Sequence, residues 1–255
     1  MYASYVPTGT HPALVSINGA EAPAPQALVG GELDVDFDIA HALLGAAPIT
    51  LYQIQLPTNL PDSYTGDTLF GSLLDALDGS FCDQEDTSAG FQCGGAPLSS
   101  VTSISYGGPE FGNGLNVVSR VCNKFMKLSL YFANHDPGYA YYEAPSNGSF
   151  SNTTAGVTTG IYNRAGRAHG TSLAAPIWSS LLAIINQQRQ NTGKGPFGFV
   201  NAVLYEHTKI FHNITNGSNP GYGTRGFRAV PGWDPSTGLG TPNYPTLEKV
   251  FLSLP

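Results

Sequence analysis

Apolar and polar residues fall in short blocks along this chain, and the blocks change period. ALVSING (Ala13–Gly19) and ITLYQIQL (Ile49–Leu56) are short, β-branched and bounded by turn residues, which predicts two strands. VTSISYGG (Val101–Gly108) predicts a third that ends in two glycines. Within NGLNVVSRVCNKFMKLSL, Leu115, Val118, Cys122, Phe125 and Met126 share one side of an amphipathic helix. SLYFANHD predicts a short strand feeding a loop. Ala174, Ile177, Trp178, Leu181, Leu182 and Ile185 recur at helical spacing, and that helix is apolar around most of its surface, so it should be central. Gly193 is its expected stop. The stretch from Tyr139 to Thr159 is loose, with little periodicity. Strands alternating with helices predict an α/β sandwich around a mainly parallel sheet. No repeat or linker divides the chain, so residues 1–255 read as a single domain.

GGELDVDFDIAHALL is ambiguous on pattern alone. Leu33, Val35, Phe37 and Ile39 alternate with Glu32, Asp34, Asp36 and Asp38, which taken literally is a strand. Four like charges side by side would repel one another there. A helix would instead line up Leu33, Phe37, Ala40 and Leu44 as its apolar stripe. It would place Glu32 and Asp36 one turn apart on one face, with acids at the favourable end of the dipole. The plain reading is a solvated acidic helix start; the sharper one is a carboxyl pair close enough to share a proton. A calcium loop is the third option, disfavoured by the apolar residues at alternate positions and by the absence of the glycine and distal Glu of an EF-hand.

Composition narrows the function classes. Only 11% of residues are charged, less than half the usual share, while Gly (31) and Pro (19) are plentiful. The formal charge of −7 and the lack of a basic patch exclude a nucleic-acid partner. No apolar run reaches the ~18 to 20 residues of a membrane span. MYASYVPTGT has no basic region followed by an apolar one, so it does not read as a signal peptide. Four Asn-x-Ser/Thr sites, at Asn147, Asn152, Asn213 and Asn216, nonetheless suit a secreted, extracellular glycoprotein whose leader has been lost. Few charges and many hydroxyls suit acid conditions. Cys82 and Cys93 bracket a polar loop and could bridge it, which leaves Cys122 over. There is no CxxC and no His/Cys cluster, so zinc is not expected.

HGTSLAAPIW (His169–Trp178) places Ser172 at a helix start, near orphan backbone N–H groups. A hydroxyl there is commonly just an N-cap. As a nucleophile it needs a base. Subtilisins carry a similar Gly-Thr-Ser-x-Ala-Ala-Pro segment, but none of the six histidines here lies in their histidine motif. His169 is three residues from Ser172, a spacing that seldom points a side chain back correctly. A carboxylate is the better candidate.

At this point the residues resemble the serine-carboxyl peptidases, the sedolisin family, and look most like its secreted tripeptidyl-peptidase-like members. GGELDVDFDIA is similar to the family's Glu-x-x-x-Asp helix, which implies Glu32 and Asp36 as the catalytic pair. SISYGG, with Glu110 nearby, resembles its Ser-Tyr-Gly strand end. FANHDPG resembles the segment with the oxyanion aspartate, which implies Asp136. GTSLAAP matches the nucleophile motif, which implies Ser172. GWDPSTGLGTPNYP resembles the family's calcium-site and C-terminal signature. The order of all five is the family's. The resemblance implies a subtilisin-like three-layer sandwich and an acid serine-type peptidase acting on peptide or protein substrates as a monomer.

It also implies one Ca2+ site at Asn213, Ile214, Val230, Gly232 and Asp234, with Ile214, Val230 and Gly232 offering backbone carbonyls. Asn213 stands where the family has Asp, so the site loses a negative charge and should bind more weakly. The alternative is a tight metal-free loop around a buried Trp233. Other departures are a shortened stretch between Asp136 and Ser172, an abbreviated strand before Asp136, no pro-domain, and Pro137 in place of the family's Ser, which fixes φ and removes an N–H. These suggest a shortened sandwich. They leave a second function hypothesis, an inactive homologue or truncated gene product that keeps the motifs. An unrelated α/β hydrolase is disfavoured because no G-x-S-x-G elbow is present.

Overall fold

The computed structural model describes residues 3–25, 31–56, 70–105, 115, 118–119, 121–123, 158–161, 164–167, 171–221 and 223–255, the side chains of 31–33, 158–161, 164–167 and 171 excepted. The predicted strand and loop at SLYFANHD, and residues 139–157 of the loose stretch, lie outside the described residues.

Strand β1 (Ala13–Ile17) pairs in parallel with β2 (Thr50–Ile54), in register from Ala13 with Thr50 to Ile17 with Ile54. Helix α1 (Gly31–Leu44) lies between them in the chain, as a parallel pair requires a crossover. Asn18, at φ 55°, ends β1 and ties three segments together. Its amide donates to the Gln55 carbonyl at 3.1 Å, and its side-chain oxygen accepts from the Gln92 N–H at 2.7 Å. Helix α2 (Phe70–Leu77) covers this pair, packing Leu73 and Ala76 on Ile17 with Val15, Tyr52 and Ile54 around them.

The Cys82–Cys93 bridge forms, enclosing α3 (Gln84–Ser88). Asp83 caps α3 by accepting from the Glu85 and Asp86 amides, and Asp86 returns a bond from the Asp83 N–H. Strands β3 (Thr158–Ile161) and β4 (Arg164–Arg167) form an antiparallel hairpin. Helix α4 (Thr171–Asn191) follows and ends as expected at Gly193, φ +77°. Beyond it come α5 (Asn201–Glu206), a single 3-10 turn at Thr208–Ile210, the short antiparallel strands β5 (Phe211–His212) and β6 (Thr241–Pro242), and α6 (Tyr244–Ser253). Gly240, at φ +112°, lets β6 run this close: a Cβ there would lie 2.1 Å from the His212 carbonyl oxygen.

The expected central helix is central. Leu182 and Ile185 of α4 are fully buried among Val200, Leu204, Ile210, Leu247 and Phe251, and Trp178 stacks obliquely on Phe211 at 5.8 Å. Arg189 is buried at the end of α4 and donates to the carbonyls of Gly195, Phe251 and Leu254 and to an oxygen of Pro255, so its hydrogen-bonding groups are satisfied. Glu248 of α6 accepts from both Gln188 and Tyr244. Burial, then the bond to Glu248, push the Tyr244 phenol up to about 12.

Several expectations are corrected. The described part of the third predicted strand, Val101–Ser105, joins no ladder. Residues 115, 118–119 and 121–123 are helical as expected, but Leu115 is 85% exposed and Cys122 is exposed and unbridged. The helix instead turns Val121 toward Leu74 and Phe81, because its apolar residues offer two edges and α2 selects one. On α4, Ala174 faces out. Of the sheets among the described residues, one is parallel and two are antiparallel.

Candidate functional site

The ambiguous acidic segment is a helix, which separates charges that a strand would have aligned. Its inward face is not the predicted stripe of Leu33, Phe37, Ala40 and Leu44. Val35 and Ile39 are the buried pair, and they close on Leu173 and Ile177 of α4. Residues spaced i, i+3, i+4 and i+7 share a helix face. Positions 35, 36 and 39 have that spacing, so Asp36 stands beside the buried pair on the side that meets α4. Asp36 is half-buried there. The side chain of Glu32 lies outside the described residues.

Ser172, the second residue of α4, is buried at 8% exposure beside Leu173. Asp36 is the chain neighbour of Val35 and Ser172 that of Leu173, and Val35 and Leu173 belong to one buried cluster. Pro176, four residues on, has no N–H to donate to the Ser172 carbonyl. Asp36 has a partner that the pattern of residues did not point to. The Ser105 hydroxyl donates to its Oδ1 at 2.5 Å. Ile104 anchors that segment between Ile17 and Leu74, and Ser105 is the next residue. The available signal was the Ser-Tyr-Gly motif itself, whose serine this is.

Asp136, Glu110 and His169 lie outside the described residues. His41 sits half-buried further along α1, with Nδ1 facing the Gly45 carbonyl at 3.4 Å and no partner for Nε2 among the described residues. Burial and the Asp34 carboxylate hold the Asp38 carboxyl above its ordinary range, while His41 pulls it down.

Among the predicted calcium residues, Asp234 meets Val230 and Asn213 meets Gly232. Asp234 is buried and accepts from the Ser236 and Thr237 amides at Oδ1, each at 2.9 Å. Its Oδ2 accepts from the Thr237 hydroxyl at 2.9 Å and the Val230 amide at 3.2 Å. Asn213 faces Gly232 across the loop. Its Oδ1 accepts from the Gly232 N–H at 3.0 Å, and its Nδ2 donates to the Gly232 carbonyl at 2.6 Å. A longer contact of 3.4 Å reaches the Leu239 carbonyl. Ile214 is half-buried nearby in sequence, and Trp233 is exposed rather than buried.

The chain is similar to tripeptidyl-peptidase sed1 of Aspergillus fumigatus, 30% identical over 381 aligned positions that take in all of this chain and 58% of that protein. It is 29% identical to aorsin of Aspergillus oryzae over 392 positions, covering all of this chain and 59% of aorsin. Among solved structures, a Pseudomonas sedolisin, described as a serine-carboxyl proteinase, matches with a TM-score of 0.58 at 18% identity, over 94% of this chain and 84% of that one. This chain is a relative of the serine-carboxyl peptidases. The sedolisin match carries the fold, an α/β architecture of the sedolisin and subtilisin-like kind. No family model matches the chain. Both fungal alignments run well past the 255 residues here, so those relatives hold internal stretches for which this sedolisin relative has no counterpart. Among the described residues, no helix is long and apolar enough to cross a membrane.

Proposed function

We propose that the chain is an acid serine-type peptidase in which Ser172 is the nucleophile and Glu32, held by Asp36, is the base. The observation that carries this reading is the packing of the Val35–Ile39 face of α1 on Leu173 and Ile177 of α4, which sets the helix of the two carboxyls against the start of the serine's helix. Glu32 takes the Ser172 hydroxyl proton as the oxygen attacks the peptide carbonyl carbon. The tetrahedral oxyanion accepts a hydrogen bond from protonated Asp136, where other serine peptidases use a backbone amide or an Asn. Collapse breaks the C–N bond, Glu32 returns the proton to the leaving amine, and water then hydrolyses the acyl-enzyme by the same steps. Asp36 shares a proton with Glu32, as close carboxyl pairs do.

Glu32 must be ionised while Asp136 keeps its proton, and ordinary carboxyls titrate near pH ~4. The expected profile is therefore cleavage of an unstructured peptide rising from neutral pH toward acid, abolished in Ser172→Ala. Measured from about pH 3 to about pH 7, a neutral optimum with no acid preference would refute the scheme. Substrates are peptides or unfolded proteins. The Cys82–Cys93 bridge and the sequons at Asn147, Asn152 and Asn216 support an extracellular setting.

One observation favours a second reading, a homologue without activity. The alignments leave long internal stretches of the fungal relatives unmatched. Under that reading a folded sample cleaves nothing at any pH and Ser172→Ala changes nothing.

A further inference from the structure

We propose that the loop from Val230 to Leu239 is locked without a metal ion, and that the Asn213 amide does there what a bound cation would do. The argument turns on which atoms Asn213 faces. Gly232 presents both its N–H and its carbonyl to the Asn213 side chain, the N–H to Oδ1 at 3.0 Å and the carbonyl to Nδ2 at 2.6 Å. Only one orientation of the amide satisfies both, because a flip would set oxygen against oxygen and N–H against N–H. In the satisfied orientation the two hydrogens on Nδ2 point at the Gly232 and Leu239 carbonyls, the space a cation bound to those oxygens would need.

A carboxylate at position 213 would behave otherwise. One oxygen would still accept from the Gly232 N–H. The other would face the Gly232 and Leu239 carbonyls, three oxygens converging around a negative charge, and a divalent cation is the natural way to relieve that. Asparagine relieves it with its own hydrogens. The remaining side-chain donor is committed too: both oxygens of buried Asp234 are filled by the amides of Val230, Ser236 and Thr237 and by the Thr237 hydroxyl. Calcium takes six to eight oxygens. The donor set around Asn213 does not fit it.

The test uses the whole chain and reads folding, so it stands apart from any peptidase activity. Thermal unfolding is followed in chelator and in excess calcium, with terbium as a luminescent probe excited through the exposed Trp233. The parent should unfold at the same temperature in both conditions and give no sensitised terbium emission. Asn213→Asp should be less stable than the parent in chelator and recover with calcium. At calcium about a hundredfold above its dissociation constant, its folding equilibrium should move about a hundredfold toward the native state. Asn213→Ala should be less stable than the parent and ignore calcium. A parent that loses stability in chelator and regains it with calcium, or that sensitises terbium, overturns the proposal. So does an Asn213→Asp variant that calcium does not rescue, or an Asn213→Ala variant as stable as the parent.

Discussion

Two polar contacts separate what a residue is from what its neighbours make of it. Asp36 is a helix-start acid whose Oδ1 accepts from the Ser105 hydroxyl at 2.5 Å. A hydrogen bond to a charged group contributes about 1.5 to 3 kcal/mol, and each 1.4 kcal/mol in a barrier is a factor of ten. If Asp36 orients the base, Ser105→Ala should lower kcat/KM on the order of tenfold or more while Ser105→Thr keeps it near the parent. An unfolding midpoint that falls while kcat/KM holds would assign Ser105 to the fold alone. Asn213 is the second contact, where exchanging one carboxylate oxygen for nitrogen turns a set of converging acceptors into a closed hydrogen-bonded pair.

At the scale of the element, α1 shows how a helix accommodates acid. Asp34 and Asp38 lie one turn apart, and burial with the Asp34 charge holds Asp38 protonated to higher pH than usual, against the pull of His41. A carboxyl raised in this way binds more protons folded than unfolded, so stability falls as pH rises through the window that opens near about pH 4. Asp38→Asn should be slightly more stable than the parent at neutral pH, and the difference should close near about pH 3, measured as unfolding midpoints. The effect is small because Asp38 is exposed and solvent screens it. The same helix marks the limit of legibility in the sequence. Alternation and helical spacing both fit its residues; charge repulsion counted against the strand, and the segment is a helix. The choice of inner face failed, because Val35–Ile39 wins over Phe37–Leu44 only through Leu173, a residue far along the chain. For α4 the pattern sufficed: an apolar surface on most sides means neighbours on most sides, and Leu182 and Ile185 are fully buried. The place of Ser172 at the start of a helix was legible from its motif, whereas Ser105 as the partner of Asp36 is a tertiary fact that no local spacing encodes.

For the whole molecule, the C-terminal half carries its own dense core, with α4, α5 and α6 around Phe251 and Ile210. The N-terminal half relies on the β1–β2 pair under α2 and on a covalent tie. Closing a loop between cysteines 11 apart contributes about 3 kcal/mol by constraining the unfolded chain. Reduction, or paired Cys82→Ser and Cys93→Ser, should therefore lower the unfolding midpoint clearly, and an unchanged midpoint would show that α3 is held by its Asp83 cap and packing alone. The seam between α1 and α4 has a further consequence, one of timing. During synthesis Val35 and Ile39 leave the ribosome long before Leu173 and Ile177 exist, so the first helix must wait with its apolar face open. Contacts between such distant segments close slowly. The nascent chain is thus most exposed to aggregation and to chaperone capture at the stage when its N-terminal third is complete, and the synthesis of α4 ends that stage.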